Sequence, residues 1–287
     1  MKLSFITDEF TQSFHEAVAF AQEFGLHGLE LRSVDDRPIH DFDDDTLNNW
    51  KKLLDNAGLE VSNLAGSFFK CDPNPEAISA ELKKLERLCQ IADILGCSTI
   101  RGFTFFRDGD TPATAETLAP YYDSAKQILR RYGKQLVLEA DPSVNTSNHA
   151  SVAALLELLD KDCFAAVYDP GNCLYDPFGE EPFPAGYKAI LPHLKHVHIK
   201  DVILTENGPL CLAPGQGLVG FRPLLAQLKA DGYDGWLSLE PHYRKNQVLT
   251  EEQMRTPAGS NFSSGGYEAM AESALALKAM LKEINWI

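Results

Sequence analysis

No two of the six cysteines (Cys71, Cys89, Cys97, Cys163, Cys173 and Cys211) form a Cys-x-x-Cys pair, and each lies in or beside an apolar run. They read as ordinary reduced thiols, which places the chain in a reducing compartment. No apolar stretch approaches the length of a membrane span, and the apolar part of Met1-Lys2-Leu3-Ser4-Phe5-Ile6-Thr7-Asp8 is too short for a secretory signal. The expectation is a soluble, cytoplasmic protein. Positive charge is scarce: 26 Lys and Arg stand against 41 Asp and Glu, a net charge of −15. That excludes the basic stripe a nucleic acid needs and disfavours an anionic membrane surface. No Gly-x-Gly-x-x-Gly follows the first strand-like run, which counts against an open dinucleotide-binding sheet. Solenoid repeats, low-complexity tracts and linkers are also missing.

What is present is ordinary globular composition, 44% hydrophobic and 23% charged over 287 residues, ample for a large core. Strand-like runs at residues 3–6, 28–31, 59–64, 98–105, 135–139, 164–168, 196–201 and 236–239 alternate with helix-like runs. The helical runs lie at 15–24, 45–57, 75–95, 119–132, 151–159, 184–191, 221–230 and 268–281, several of them stopped by a glycine. Eight strands, each followed by a helix, predict an α/β fold in which residues 1–287 form a single-domain (β/α)8 TIM barrel. Residues 208–220 read as a glycine-rich loop, and the long polar segment 241–266 as a mobile lid.

One strand is chemically unusual. In His196-Val197-His198-Ile199-Lys200-Asp201 the side chains of His196, His198 and Lys200 share a face, and buried groups of this kind need partners. In such barrels the chemistry collects at the carboxyl ends of the strands. There the fifth, sixth and eighth strands end in Glu139, Asp169 and Glu240. Together with His198 they make an oxygen-rich set with one imidazole. It suits a divalent cation, with Mn2+, Mg2+ or Co2+ favoured and Zn2+ or Fe2+ tolerated. Any one of these acids alone would more simply cap a helix or face solvent.

The same residues carry a family resemblance. The chain resembles the xylose isomerase-like TIM-barrel superfamily, within it the sugar phosphate isomerase/epimerase proteins near ketose 3-epimerases, hydroxypyruvate isomerases and inosose dehydratases. The resemblance rests on Ile6-Thr7-Asp8-Glu9-Phe10 with Gly28-Leu29-Glu30-Leu31-Arg32, on the histidine strand, and on Pro214-Gly215-Gln216-Gly217 with Tyr233-Asp234-Gly235-Trp236-Leu237-Ser238-Leu239-Glu240. It implies Glu139, Asp169, His198 and Glu240 as metal ligands, with His196 lying deeper. Two departures concern the substrate: Asn172 stands where many relatives carry a histidine, and Gln216 where they often carry a glutamate. The endonuclease branch uses extra histidines on early strands, and here Asn63 and Arg101 occupy those strand ends.

The expected activity is isomerisation or epimerisation of a small sugar or related hydroxy-carbonyl compound through an enediolate, with Glu139 and Glu240 moving the proton. The same groups could instead dehydrate a cyclic polyol ketone such as an inosose, or a related acid. A third reading, a barrel that binds sugar without turning it over, sits poorly with an intact ligand set. Arg32, Arg101, Asn172, His196, Lys200 and His242 are the candidate substrate contacts. Phe68, Phe69 and Trp236 are expected to pack the wall or core. The expected partner is a small sugar or polyol, and self-association into a homo-oligomer is compatible with the sequence.

Overall fold

The computed structural model describes residues 1–250, 253 and 257–287. Eight parallel strands follow one another around a barrel: β1 (Lys2–Phe5), β2 (Gly28–Leu31), β3 (Glu60–Phe68), β4 (Thr99–Gly102), β5 (Gln135–Glu139), β6 (Phe164–Tyr168), β7 (Leu194–Ile199) and β8 (Trp236–Leu239). β8 returns to pair with β1, with Ser4 opposite Ser238. The ring closes between β1 and β2 through a single bridge, Ile6 with Glu30. The helices α1 (Phe14–Glu23), α2 (Asp44–Ala57), α3 (Pro75–Leu95), α4 (Asp123–Tyr132), α5 (His149–Leu156), α6 (Tyr187–Ile190), α7 (Phe221–Ala230) and α8 (Tyr267–Glu283) fill the connections.

Strand alternation divides the side chains between two cores. Outward residues such as Leu29, Leu31, Leu136, Leu138, Val197, Ile199, Leu237 and Leu239 join the large cluster shared with the helices. Val137, Ala165 and Val167 form a small separate cluster inside the barrel. Glu139 and Asp169 follow Val137 and Val167 at the same parity. The alternation that buries three small apolar residues therefore also turns the strand-end acids inward.

Local chemistry accounts for most of the boundaries. The Asp43 side chain accepts from Thr46 N at 2.8 Å, starting α2 one residue before the sequence reading. Asn74 caps α3 in the same way with Pro75 in its first turn, and Gly96, at φ +73°, ends it. Phe68 and Phe69 are fully buried, stacked on one another at 4.0 Å, and pack the wall as expected.

Several expectations need correction. β3 runs on to Phe68, and β4 stops at Gly102 rather than 105. Pro120 divides the run expected as one helix over 119–132 into a short 3-10 turn, Ala119–Tyr122, and α4. Of the helix expected over 184–191 only α6 is α-helical, flanked by irregular turns at Pro182–Gly186 and Leu191–His193. The glycine-rich stretch holds half of a hairpin, Asp201–Thr205 paired antiparallel with Gly208–Leu212. In the expected lid, Gly259–Ser263 is a short helix, and the Arg244 guanidinium donates to the carbonyls of Phe262 and Ser264. Residues 251, 252 and 254–256 of that segment lie outside the described residues.

Gly28 opens β2 beneath a crowded ring. A Cβ there would come within 2.4 Å of the Glu60 carbonyl oxygen and 2.9 Å of the Trp236 ring. Gly28→Ala should cost about 1–3 kcal/mol, as overpacking does. The expected readout is a lower urea midpoint with an unchanged slope, and an unshifted midpoint would contradict this packing.

Candidate metal site at the carboxyl ends of the strands

Glu139 at the end of β5, Asp169 after β6, His198 on β7 and Glu240 after β8 converge, with one ligand atom of each within 4.8 Å of all the others. All four are buried. His198 Nδ1 lies 3.2 Å from Glu139 Oε1, 3.2 Å from Glu240 Oε2 and 4.0 Å from Asp169 Oδ2. Its other nitrogen, Nε2, is 3.2 Å from Glu30 Oε1. Glu30 is completely buried in β2, and its second oxygen takes His196 Nε2 at 2.8 Å while Asn63 Nδ2 donates to the first at 2.8 Å. A carboxylate on Nε2 fixes the tautomer that leaves Nδ1 free to ligate, the arrangement metal-binding histidines commonly have.

The electrostatics fit a cation. Burial pushes the Asp169 carboxyl up to about 6, with Glu240 and Glu139 adding to the rise against Lys200. Burial would raise Glu139 as well, but Arg101 and His198 outweigh it and hold that acid below its usual range. For His198 burial favours the neutral ring, and Glu30, Glu139 and Glu240 overcome it and hold the ring charged. A proton on His198 thus supplies positive charge where a ligated cation would supply more. Asp169 Oδ1 accepts from the backbone of Gly171 and Asn172 at 2.9 and 3.3 Å, whereas its buried Oδ2 has no hydrogen-bond partner among the described residues. Lys200 Nζ forms a close ion pair with that oxygen at 2.5 Å. Three carboxylates and one imidazole nitrogen gathered within 4.8 Å of one another suit a divalent metal.

A cavity of about 610 Å³ lies over these residues. Glu139 and Glu240 line it together with Arg32, Arg101, Asn172, Lys200 and His242, while Asp169 and His198 are buried beneath. Arg101 Nη1 donates to Glu139 Oε2 at 3.0 Å, and its other nitrogens reach the carbonyls of Gly66 and Ala65. Arg32 is held by Asp8 at 2.9 Å and Glu9 at 3.0 Å, with Glu240 at 3.4 Å. Asn172 Nδ2 donates to the Ala140 carbonyl at 2.9 Å. His242 adopts φ +51°, unusual for a side chain of its size, and its Nδ1 lies 2.9 Å from Glu9 Oε1. His196, expected among the substrate contacts, does not line the cavity. It sits a layer deeper against Glu30, its Nε2 already engaged there.

Glu30, Asp8 and Glu9 were the residues the sequence reading passed over. For Glu30 the available signal is an acid inside an apolar strand run, as for the histidines, whereas Asp8 and Glu9 lie in a short 3-10 turn after β1. A further trio, His149, Cys173 and Glu180, also clusters donor atoms. There, however, the Glu180 carboxylate accepts from the backbone of His149 and Ala150 at 2.9 Å each, capping the first turn of α5, and its Oε2 meets the His149 ring at 2.8 Å. Hydrogen bonding accounts for that group.

Glu30→Gln keeps the shape but loses the charge that orients His198. The expected result is a roughly 10–100-fold loss of Mn2+ affinity with the fold retained, measured by titration calorimetry. Affinity unchanged from the parent would show that Glu30 does not support the ligand.

Comparison with known proteins places this geometry. The inosose dehydratase of Klebsiella pneumoniae (strain 342) is 27% identical over 216 residues, 66% of this chain and 72% of that protein. The structure of D-psicose 3-epimerase with D-tagatose from Clostridium cellulolyticum H10 superposes with a TM-score of 0.75 at 14% identity, covering 99% of each chain. That of the IolI protein with a bound zinc atom gives 0.73 at 15% identity, again over 99% of each. The family model described as xylose isomerase-like TIM barrel matches residues 18–262. This chain belongs to the xylose isomerase-like TIM-barrel family.

Proposed function

We propose that the protein is a metal-dependent dehydratase of a cyclic polyol ketone of the inosose type. The observation that carries the reading is the similarity to inosose dehydratases along two thirds of the chain, combined with an intact set of four donor residues. Isomerisation or epimerisation, the activity the sequence motifs first suggest, becomes the second reading, supported by the fold shared with the epimerase. Six unpaired cysteines fit a reducing, cytoplasmic setting.

In this reading Glu139, Asp169, His198 and Glu240 hold the cation. When bound, it supplies Lewis acidity toward the substrate carbonyl oxygen. Glu139 and Glu240 line the cavity and are the two candidate bases. One takes the proton from the carbon beside the carbonyl, whose electron pair becomes the new C=C bond as the hydroxyl on the next carbon departs. That hydroxyl needs a proton to leave as water. If Glu240 is the base, it hands the same proton to that hydroxyl; if Glu139 is the base, the Lys200 ammonium, whose Nζ is 3.2 Å from Glu240 Oε2, donates the proton and is later recharged from Glu139 through solvent. Arg101 keeps Glu139 ionised and oriented, and Asn172 closes the wall beside it. An epimerase would use both glutamates in turn, returning the proton to carbon instead of oxygen.

Incubation of the Mn2+-loaded protein with an inosose tests the choice. The dehydratase reading expects a product lighter by one water that absorbs in the ultraviolet, whereas a product of unchanged mass would support epimerisation. At saturating metal, Glu139→Gln and Glu240→Gln should each lose about 10²–10⁴ in turnover. Near-normal turnover in both would remove the glutamates from the proton transfer and turn attention to Lys200 and His242.

A further inference from the structure

A second cavity, of about 460 Å³, lies beside the one over the metal site. Arg32, Lys70, Arg101, Phe103, Ser143 and Pro257 line both, so the two chambers meet along these residues. Either volume alone is within the range of small-molecule sites, about 300–1,000 Å³. A ring polyol placed over Glu139 and Glu240 is accommodated by the first chamber, which leaves the second for something else.

The second chamber differs in what it offers. Ile39 and Ala65 are buried in its wall beside Pro38 and Phe103, and Phe106 presents a ring left 37% exposed. Its charged groups are already engaged by the protein, and His40, 3.7 Å from Asp41, is held toward its neutral form by burial. Asp36 accepts from the Ser260 hydroxyl at 2.5 Å, and Ser33 Oγ donates to Asp8 at 2.5 Å. Lys70 is paired with Asp141 at 2.6 Å, and Arg32 and Arg101 with the acids described above. A charged occupant would have to break those pairs, and a polar one would find few free partners, whereas an apolar group needs none.

We propose that the natural substrate is an uncharged cyclic polyol ketone bearing an apolar substituent of about the size of a phenyl ring, which the second chamber takes. This inference rests on the polyol-ketone reading and narrows it: among the described residues that line the chamber, each lysine and arginine already has an acid partner. The substituent adds affinity by leaving water, and the chemistry stays over the glutamates.

Calorimetric binding of myo-inositol and of its mono-O-phenyl ether to the Mn2+-loaded full chain tests it. Burial of the ring should make the ether bind about tenfold tighter or more. Ser67 lines the second chamber, not the first, and is exposed, so Ser67→Trp should fill the chamber without disturbing the core. In that variant the ether loses its advantage while myo-inositol binds as before. Pro38→Trp, at another exposed position that lines the chamber, should do the same. Equal affinity for the two compounds, no binding of the ether, or a uniform loss for both in the tryptophan variants overturns the proposal. Dehydration of an inosose is read separately. Turnover without a phenyl preference refutes the second chamber alone, and a phenyl preference without dehydration refutes the reaction alone.

Discussion

Acids gathered inside a barrel, away from water, must be met by positive charge, and much of the site's architecture follows from meeting that demand. Two like charges about 4 Å apart repel by about 4 kcal/mol even at an effective dielectric near 20. Glu139, Asp169 and Glu240 face one another within such a distance, with Glu30 just below. Lys200, Arg101, Arg32 and the imidazolium of His198 answer them in part. Asp169, pushed up to about 6, marks where the compensation falls short. A divalent cation at the centre would complete it and release the proton that His198 otherwise holds.

This demand also explains why arginine and lysine line the cavity beside so many acids. Arg101 serves Glu139, and Arg32 spans Asp8, Glu9 and Glu240. These ion pairs position the carboxylates. His242, held at positive φ with its backbone N–H donating to Glu9 at 3.0 Å, shows the same network reaching to the rim.

Much of this was legible in the sequence because alternation makes it so. β2, β5, β6 and β8 begin and end where the apolar runs do, and α3 and α7 match their expected bounds. The four donor residues stand out because they end four consecutive strands together, where any one of them alone could cap a helix or face solvent. Glu30 was missed because its meaning depends on His196 and His198, more than 160 positions away. No local pattern carries that pairing. The Asp201–Leu212 hairpin was missed for another reason. Its turn, Glu206-Asn207 before Gly208, is a hairpin signal, but Pro209 and the outward Leu204 and Leu210 mask the alternation. The partial helices at Ala119–Tyr122 and around α6 fail at prolines, where backbone donors are lost.

The site is built around a place for a cation between Glu139, Asp169, His198 and Glu240. Anomalous diffraction at the manganese edge, from crystals grown with Mn2+, locates it directly. The account predicts one strong peak within bonding distance of those four side chains, with His198 ligating through Nδ1. A peak instead beside His149, Cys173 and Glu180, or none at the strand ends at saturating Mn2+, would contradict it.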